Sequence, residues 1–354
     1  MKEYETYTVR NGDTLKSIAE QLKISVEDLI LFHNTHSPIL LMDDFIDVSM
    51  FKEICIPAAL GDFRRKHASN YCPLYYEEVK LACEDIVVDE IVEMLLKKQK
   101  VIQTQTVRCY SVKQTEVDGR AICIIDGKDF LKRQLSQQYK PLADAVSFLG
   151  RPLDHLVLGI NPDGSIAKIV NQEEISELWQ SLKQTEDAQT LLADNTVGRN
   201  IERAMDTDYC QTLKVVNETL KYRLLCPDFF GEHFISENHK RDTTLQLTSN
   251  FFPSQKIYFN LEEGCECSQD KETLYVNQRY HAVQNMEKEL FGTYNSTLKD
   301  YFRVPLEYQM EIDCRFKLSY SDFRMREIEC HLQEKLNDSA LFTNTIHIIY
   351  NNEK

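Results

Sequence analysis

The chain has 354 residues, 42% of them hydrophobic and 27% charged, with a formal charge of −15. This is the composition of globular domains with real cores, and no apolar run approaches the roughly 18 residues needed to cross a bilayer. The acidic balance opposes phosphate backbones and anionic lipid, so neither a membrane span nor a nucleic-acid partner is expected. The basic clusters at 63–67 and 96–100 have no interleaved aromatic residues and read as a linker and a helix C-terminus. Eleven cysteines without framework spacing suit reduced thiols. The opening "MKEYETYTVRNGDTL" lacks the apolar core of a secretory signal. The expected location is therefore the cytoplasm, with the cell envelope or signal-independent export as the alternative.

In chain order, Tyr7 to Arg10 read as a short strand, broken by "NGD" at 11–13, where Gly12 suits a positive φ. Asp13 or Thr14 caps a helix whose Leu15, Ile18, Ala19 and Leu22 form one buried stripe. Ser25 opens a second helix, with Asp28 as its capping-box partner and Val26, Leu29 and Ile30 as its apolar face. The alternating "EICIPA" at 53–58 supplies a second strand, stopped by Pro57.

These residues carry a resemblance. "YTVRNGDTLKSIA", Asn34 and the closing Ile56-Pro57 are similar to the pattern of a LysM module, covering residues 5–58. The resemblance implies a βααβ fold that binds N-acetylglucosamine-containing polymers, peptidoglycan or chitin, in a shallow groove. The loop after the first strand and the loop before the second flank that groove in the family. Carried over, the carbohydrate-binding residues are Gly12, Asp13, Thr14 and Leu15 in the first loop and Asn34 at the start of the second. The departure is the long apolar and acidic insert "THSPILLMDDFIDVSMFKEIC" after Asn34. Its Ile39, Leu40, Leu41, Phe45 and Ile46 would be costly to expose. They are expected to pack on the chain's own main body, the alternative being a contact surface for a protein partner. Asp43, Asp44 and Asp47 lack the spacing of a calcium loop.

Residues 59–76 read as a linker and 77–354 as a larger domain. Between Glu77 and Lys98 the apolar Val79, Cys83, Ile86, Val87, Ile91, Met94 and Leu95 fit a helical period, so an amphipathic helix is expected. "QTQTVRCYSV" and "RAICIIDG" form a hairpin. A second joins "LDHLVLGI" to "SIAKIV" through "NPDG", where Pro162 presets φ and Gly164 takes the strained position. Asn171 caps a helix with Ile175, Leu178 and Trp179 toward the sheet, and helical character continues to about Tyr222. From Leu306 to Leu318 apolar and polar residues alternate strictly, and strands through Ile328, Cys330, Leu332 and "NTIHIIYN" complete a meander. The fold class is α+β: a LysM-like module followed by a curved antiparallel sheet packed by helices. The second hairpin and closing meander also look similar to lipoprotein-carrier-like half-barrel sheets.

No nucleophile elbow, P-loop, dinucleotide fingerprint or zincin motif occurs. "CECSQD", with Cys265 and Cys267, reads as a surface turn, and His233 and His239 as solvent-facing. Trp179 is a core residue. No catalytic residue, cofactor or metal is expected, and the chain is not read as an enzyme. Two functions follow. The first is an intracellular adaptor or assembly protein, a component or cargo adaptor of a phage-like contractile injection machine, where LysM-like modules serve assembly. The alternative is a cell-envelope protein that binds N-acetylglucosamine polymers.

Overall fold

The computed structural model describes residues 4–10, 12–22, 24, 26–37, 48, 51–57, 83–117, 120–192, 196–230, 239–241, 243, 245–268, 270, 272–283, 286–320 and 323–351. The first elements are β1 (Tyr4–Thr8), α1 (Leu15–Leu22), α2 (Val26–His36) and β2 (Glu53–Pro57). β1 begins earlier than the expected Tyr7 and pairs antiparallel with β2, Tyr4 opposite Pro57 and Thr8 opposite Glu53. The spacing of Leu15, Ile18, Ala19 and Leu22 places all four on one face of α1, and all four are buried, together with Leu29 of α2 and Ile54 and Ile56 of β2. Burial of each large aliphatic side chain contributes about 1.5 to 3 kcal/mol.

His33 of α2 is 2% exposed, and its Nδ1 accepts a hydrogen bond from the Cys55 backbone N–H at 2.9 Å, tying α2 to β2. Ser25, Ile39, Leu40, Leu41, Phe45 and Ile46 lie outside the described residues, as do Asp43, Asp44, Asp47 and the stretch 58–82 that contains the expected linker. Near the end of the insert, residues 48 and 51–55 are described. Val48 is buried in the module's own core, and Phe51 packs against that core with its ring 5.9 Å from His33.

The expected helix between Glu77 and Lys98 is corrected over its described part, where Cys83–Leu96 form strand β3. The same residues also satisfy a period of two. Ile86 and Val88 are buried, and Val92, Met94 and Leu96 pack against the core on the same face. β-branched residues at 86, 87, 88, 91 and 92 favour the extended chain. The basic "LKKQK" is accordingly a hairpin turn: Lys97 and Lys98 take φ of 51° and 64°, and Leu96 pairs with Gln99. Such a two-residue turn usually carries Asn or Gly.

β4 (Gln99–Val117) and β5 (Arg120–Leu135) form the first expected hairpin, longer at both ends than the sequence suggested, and β6 (His155–Ile160) and β7 (Ile166–Ile169) form the second. In the turn between β6 and β7, Gly164 N–H donates to the Asn161 carbonyl at 2.9 Å, and Gly164 has φ +89°. The remaining strands are β8 (His239–Arg241), β9 (Gln246–Thr248), β10 (Lys256–Cys267), β11 (Thr273–Ala282), β12 (Gln309–Ser319), β13 (Met325–Asn337) and β14 (Ala340–Asn351). Among the described residues they join one open sheet in the order β7-β6-β5-β4-β3-β14-β13-β12-β11-β10-β8, with β9 also on β10. Every pairing is antiparallel.

The β3–β14 pair brings the first and last strands of this body together, Val88 opposite Ile348. α3 (Lys140–Leu149) follows β5. Five helices, α4 (Gln172–Lys183), α5 (Glu186–Leu191), α6 (Thr196–Cys210), α7 (Thr212–Glu218) and α8 (Leu220–Leu225), separate the two halves of the sheet, and α9 (Met286–Thr297) and α10 (Lys299–Phe302) precede β12. Their Ile175, Trp179, Tyr209, Leu224, Leu290 and Tyr294 share one core with Ile312, Phe316, Ile328 and Ile348 of the sheet. One sheet face is thus covered by helices and the other is wet.

Four side chains depart from expectation. Leu178 is 44% exposed, because α4 turns Ile175 and Trp179 inward, with Leu182 packed against the same core. Asn171 stands at the start of α4 but spends its amide on β6, accepting from Val157 N–H at 2.9 Å and donating to the His155 carbonyl at 3.1 Å. Cys265 and Cys267 lie in β10 rather than in a surface turn, opposite Val276 and Leu274, and Cys265 is buried. His233 and the side chain of His239 lie outside the described residues.

Candidate functional site: the first loop of the module

The loop from β1 to α1 is held by its own polar groups. The Asp13 carboxylate accepts the Arg10 backbone N–H at 2.7 Å and the Tyr7 hydroxyl at 3.1 Å, and Tyr7 also lies 3.0 Å from the Gln21 amide oxygen. Burial, and then the bond to Asp13, push the Tyr7 hydroxyl above its ordinary pKa. Thr14 caps α1 reciprocally with Ser17. Ser17 N–H donates to Thr14 Oγ1 at 3.0 Å, and Thr14 N–H donates to Ser17 Oγ at 2.9 Å. This is a capping box with serine in the place usually held by Glu or Gln.

Gly12 stands exposed at φ +94°, with nothing within 4 Å of where a Cβ would be. A glycine of this kind leaves its own backbone open to close approach by a ligand, while the next two amides are already donated, Asp13 N–H to the Arg10 carbonyl at 3.1 Å and Thr14 N–H to Ser17 Oγ. The structure thus gathers Gly12, Asp13 and Thr14 into one exposed turn. Leu15 is 2% exposed and belongs to the core beneath it. Asn34 is half-buried within α2, which runs on to His36, so the second loop starts later than Asn34. Beside α2 and β1, the His36 ring stacks on Phe32 at 4.2 Å and meets Tyr4 at 5.5 Å. The sequence reading did not single out these rings, because their meeting depends on the end of α2 reaching back to β1.

The body carries a second concave surface on its wet sheet face, a groove of about 820 Å³ bordered by Glu262, Arg279, Asp313, Glu329, His331 and His347. Opposite charges meet across neighbouring strands, Arg279 with Asp313 at 2.5 Å and Lys317 with Glu327 at 3.3 Å, and Arg315 of β12 reaches over β11 to Glu266 of β10 at 2.9 Å. His347 Nε2 lies 2.6 Å from Glu327, and this hydrogen bond is the largest cause holding the Glu327 carboxyl below its usual range. Glu327, Glu329 and His347 offer ligand atoms within 4.8 Å of one another, a set suited to a divalent cation. As they stand, Glu327 is already paired with Lys317 and hydrogen-bonded to His347, which is how an exposed sheet face is ordinarily stabilised. The cluster was illegible in sequence because Glu329 and His347 meet only through the β13–β14 register.

A model of the LysM domain matches residues 7–38, and the chain therefore carries an N-terminal LysM module. No curated protein matches. A solved structure from a study of lipid–protein interactions in lipovitellin is similar to 76% of this chain at 7% identity and a TM-score of 0.40. The chain spans 25% of that protein's length, and a likeness this distant decides neither the fold nor the ligand of the body. Among the described residues no helix is long and apolar enough to cross a membrane.

Proposed function

We propose that the protein binds N-acetylglucosamine-containing polymers, peptidoglycan or chitin, through its LysM module and acts by binding rather than by catalysis. The observation that carries this reading is the LysM match over residues 7–38, which falls on a module with its own buried core and an exposed first loop. The exposed backbone of Gly12 and the Thr14 hydroxyl are the groups that would meet N-acetyl oxygens. Glycan sites commonly combine a few such polar groups with an apolar floor. The location that goes with this reading is the cell envelope. No comparison lends weight to the adaptor of a contractile injection machine, and the absence of catalytic motifs from the sequence is what favours a binding role over an enzymatic one.

The experiment is sedimentation of the full chain with insoluble peptidoglycan and chitin, alongside a Gly12→Val variant that crowds the loop. Retention that falls by about tenfold or more in the variant supports the reading. Failure of the unsubstituted chain to sediment with either polymer rejects it.

A further inference from the structure

β12 and β13 run antiparallel in a register that sets Cys314 directly opposite Cys330. Both side chains point to the helix-covered side of the sheet, where they are 5% and 2% exposed, and their sulfurs stand 3.1 Å apart. Directly opposed residues of an antiparallel pair have Cα atoms about 4.5 to 5.5 Å apart, inside the roughly 4.4 to 6.8 Å that a disulfide spans. Shortening the sulfur contact to a bond of about 2.05 Å asks each sulfur to move by about half an ångström, a small rotation about χ1. We propose that Cys314 and Cys330 are a modification site, oxidised to a cross-strand disulfide that links β12 to β13 in the body sheet.

The reaction balances as exchange with glutathione disulfide. One cysteine thiolate attacks a glutathione disulfide sulfur, expels one glutathione and leaves a mixed disulfide. The second cysteine thiolate attacks the protein sulfur of that mixed disulfide and expels the other glutathione. Two protein thiols lose two protons and two electrons, and glutathione disulfide takes up both and leaves as two glutathione molecules. In the folded sheet, burial first and contact with Cys314 second push the Cys330 thiol well above its ordinary pKa. Exchange needs a thiolate and an open approach. It therefore takes place while the chain folds, before the helices cover this face.

The test refolds the full chain from denaturant in an oxidising glutathione mixture. Remaining thiols are then alkylated under denaturing conditions and the linked peptides are mapped by mass spectrometry. The expected result is a Cys314–Cys330 peptide pair, two hydrogens lighter than the free peptides, recovered from natively folded protein that melts higher than the same sample after reduction. A Cys314→Ala/Cys330→Ala double variant is expected to lose that redox-dependent shift. If the variant does not fold, the peptide map of the unsubstituted chain decides alone. Both cysteines alkylated in natively folded protein would overturn the proposal. So would attachment of either to glutathione or to another cysteine, or a link confined to aggregates.

Discussion

The Tyr7 hydroxyl and the Asp13 carboxylate meet at 3.1 Å across the first loop of the module, while the same carboxylate oxygen accepts the Arg10 backbone N–H at 2.7 Å. Asp13 therefore shapes the loop from within. Asp13→Ala is expected to lower the local stability of this loop by about 1 kcal/mol, the usual worth of such a hydrogen bond. Hydrogen exchange should show it as faster exchange at the Arg10 amide, with Asp13→Asn, which keeps an acceptor, much closer to the unsubstituted chain. Unchanged exchange in the alanine variant would show that the loop is held by other contacts.

Gly164 ends the turn between β6 and β7 at φ +89°. A Cβ built there would lie 2.3 Å from the Pro227 carbonyl oxygen and 2.5 Å from Phe230 Cδ2. The turn is docked as well as strained, since Phe230 N–H donates to the Asp163 carbonyl at 3.0 Å. Gly164→Ala combines left-handed backbone with a backbone clash and should cost about 2 kcal/mol or more, read as a lower denaturation midpoint of the body. A midpoint within error of the unsubstituted chain would mean that the turn and the 227–230 segment separate freely.

Glu334 is fully buried, and its carboxylate gathers Ser249 Oγ, the Asn250 backbone N–H at 2.8 Å, the Asn250 side-chain amide at 3.0 Å and the Tyr308 hydroxyl at 3.0 Å. Burial, followed by the neighbouring carboxylate, pushes the Tyr308 hydroxyl far above its ordinary value, so it stays a donor. Removing the acceptor strands several buried donors at once. Glu334→Ala should destabilise the body by about 3 to 5 kcal/mol, measured by chemical denaturation, and Tyr308→Phe by about 1 kcal/mol. Equal losses in the two variants would contradict the carboxylate's place at the centre of the network.

On the wet face, Glu327 is held below the usual carboxylate range by His347 first and also by Lys317, against an opposing effect of burial. A carboxyl whose folded pKa is depressed contributes stability above its unfolded pKa, roughly 4.3 for Glu, and that contribution is lost as pH falls through the folded value. The melting temperature should therefore fall more steeply between about pH 5 and pH 3 in the unsubstituted chain than in Glu327→Gln. Parallel curves would show that the pair contributes nothing measurable, as many exposed pairs do.

Much of the module was legible because its signals are local. The Leu15, Ile18, Ala19, Leu22 stripe and the alternation of Ile54 and Ile56 each lie within a few residues, and the structure buries all six. β3 was misread because its apolar residues fit periods of 3.6 and of two equally well, and the turn that decides between them uses two lysines. The β3–β14 pairing joins residues more than 200 apart in the chain, Cys83–Leu96 with Ala340–Asn351, and no local pattern announces such a contact. The candidate site divides the same way. Gly12, Asp13 and Thr14 follow from the loop motif, whereas the sinking of Leu15 into the core follows from helix packing.

The central claim is that the module recognises N-acetyl groups on a sugar polymer. Isothermal titration of the full chain with an N-acetylglucosamine hexamer, with cellohexaose as the comparison, tests it most directly because the two sugars differ at the acetamido group. Saturable heat with the first and none with the second is the predicted result, with affinity lowered by about tenfold or more in Gly12→Val. Absence of binding to both, or equal binding to both, would contradict the account.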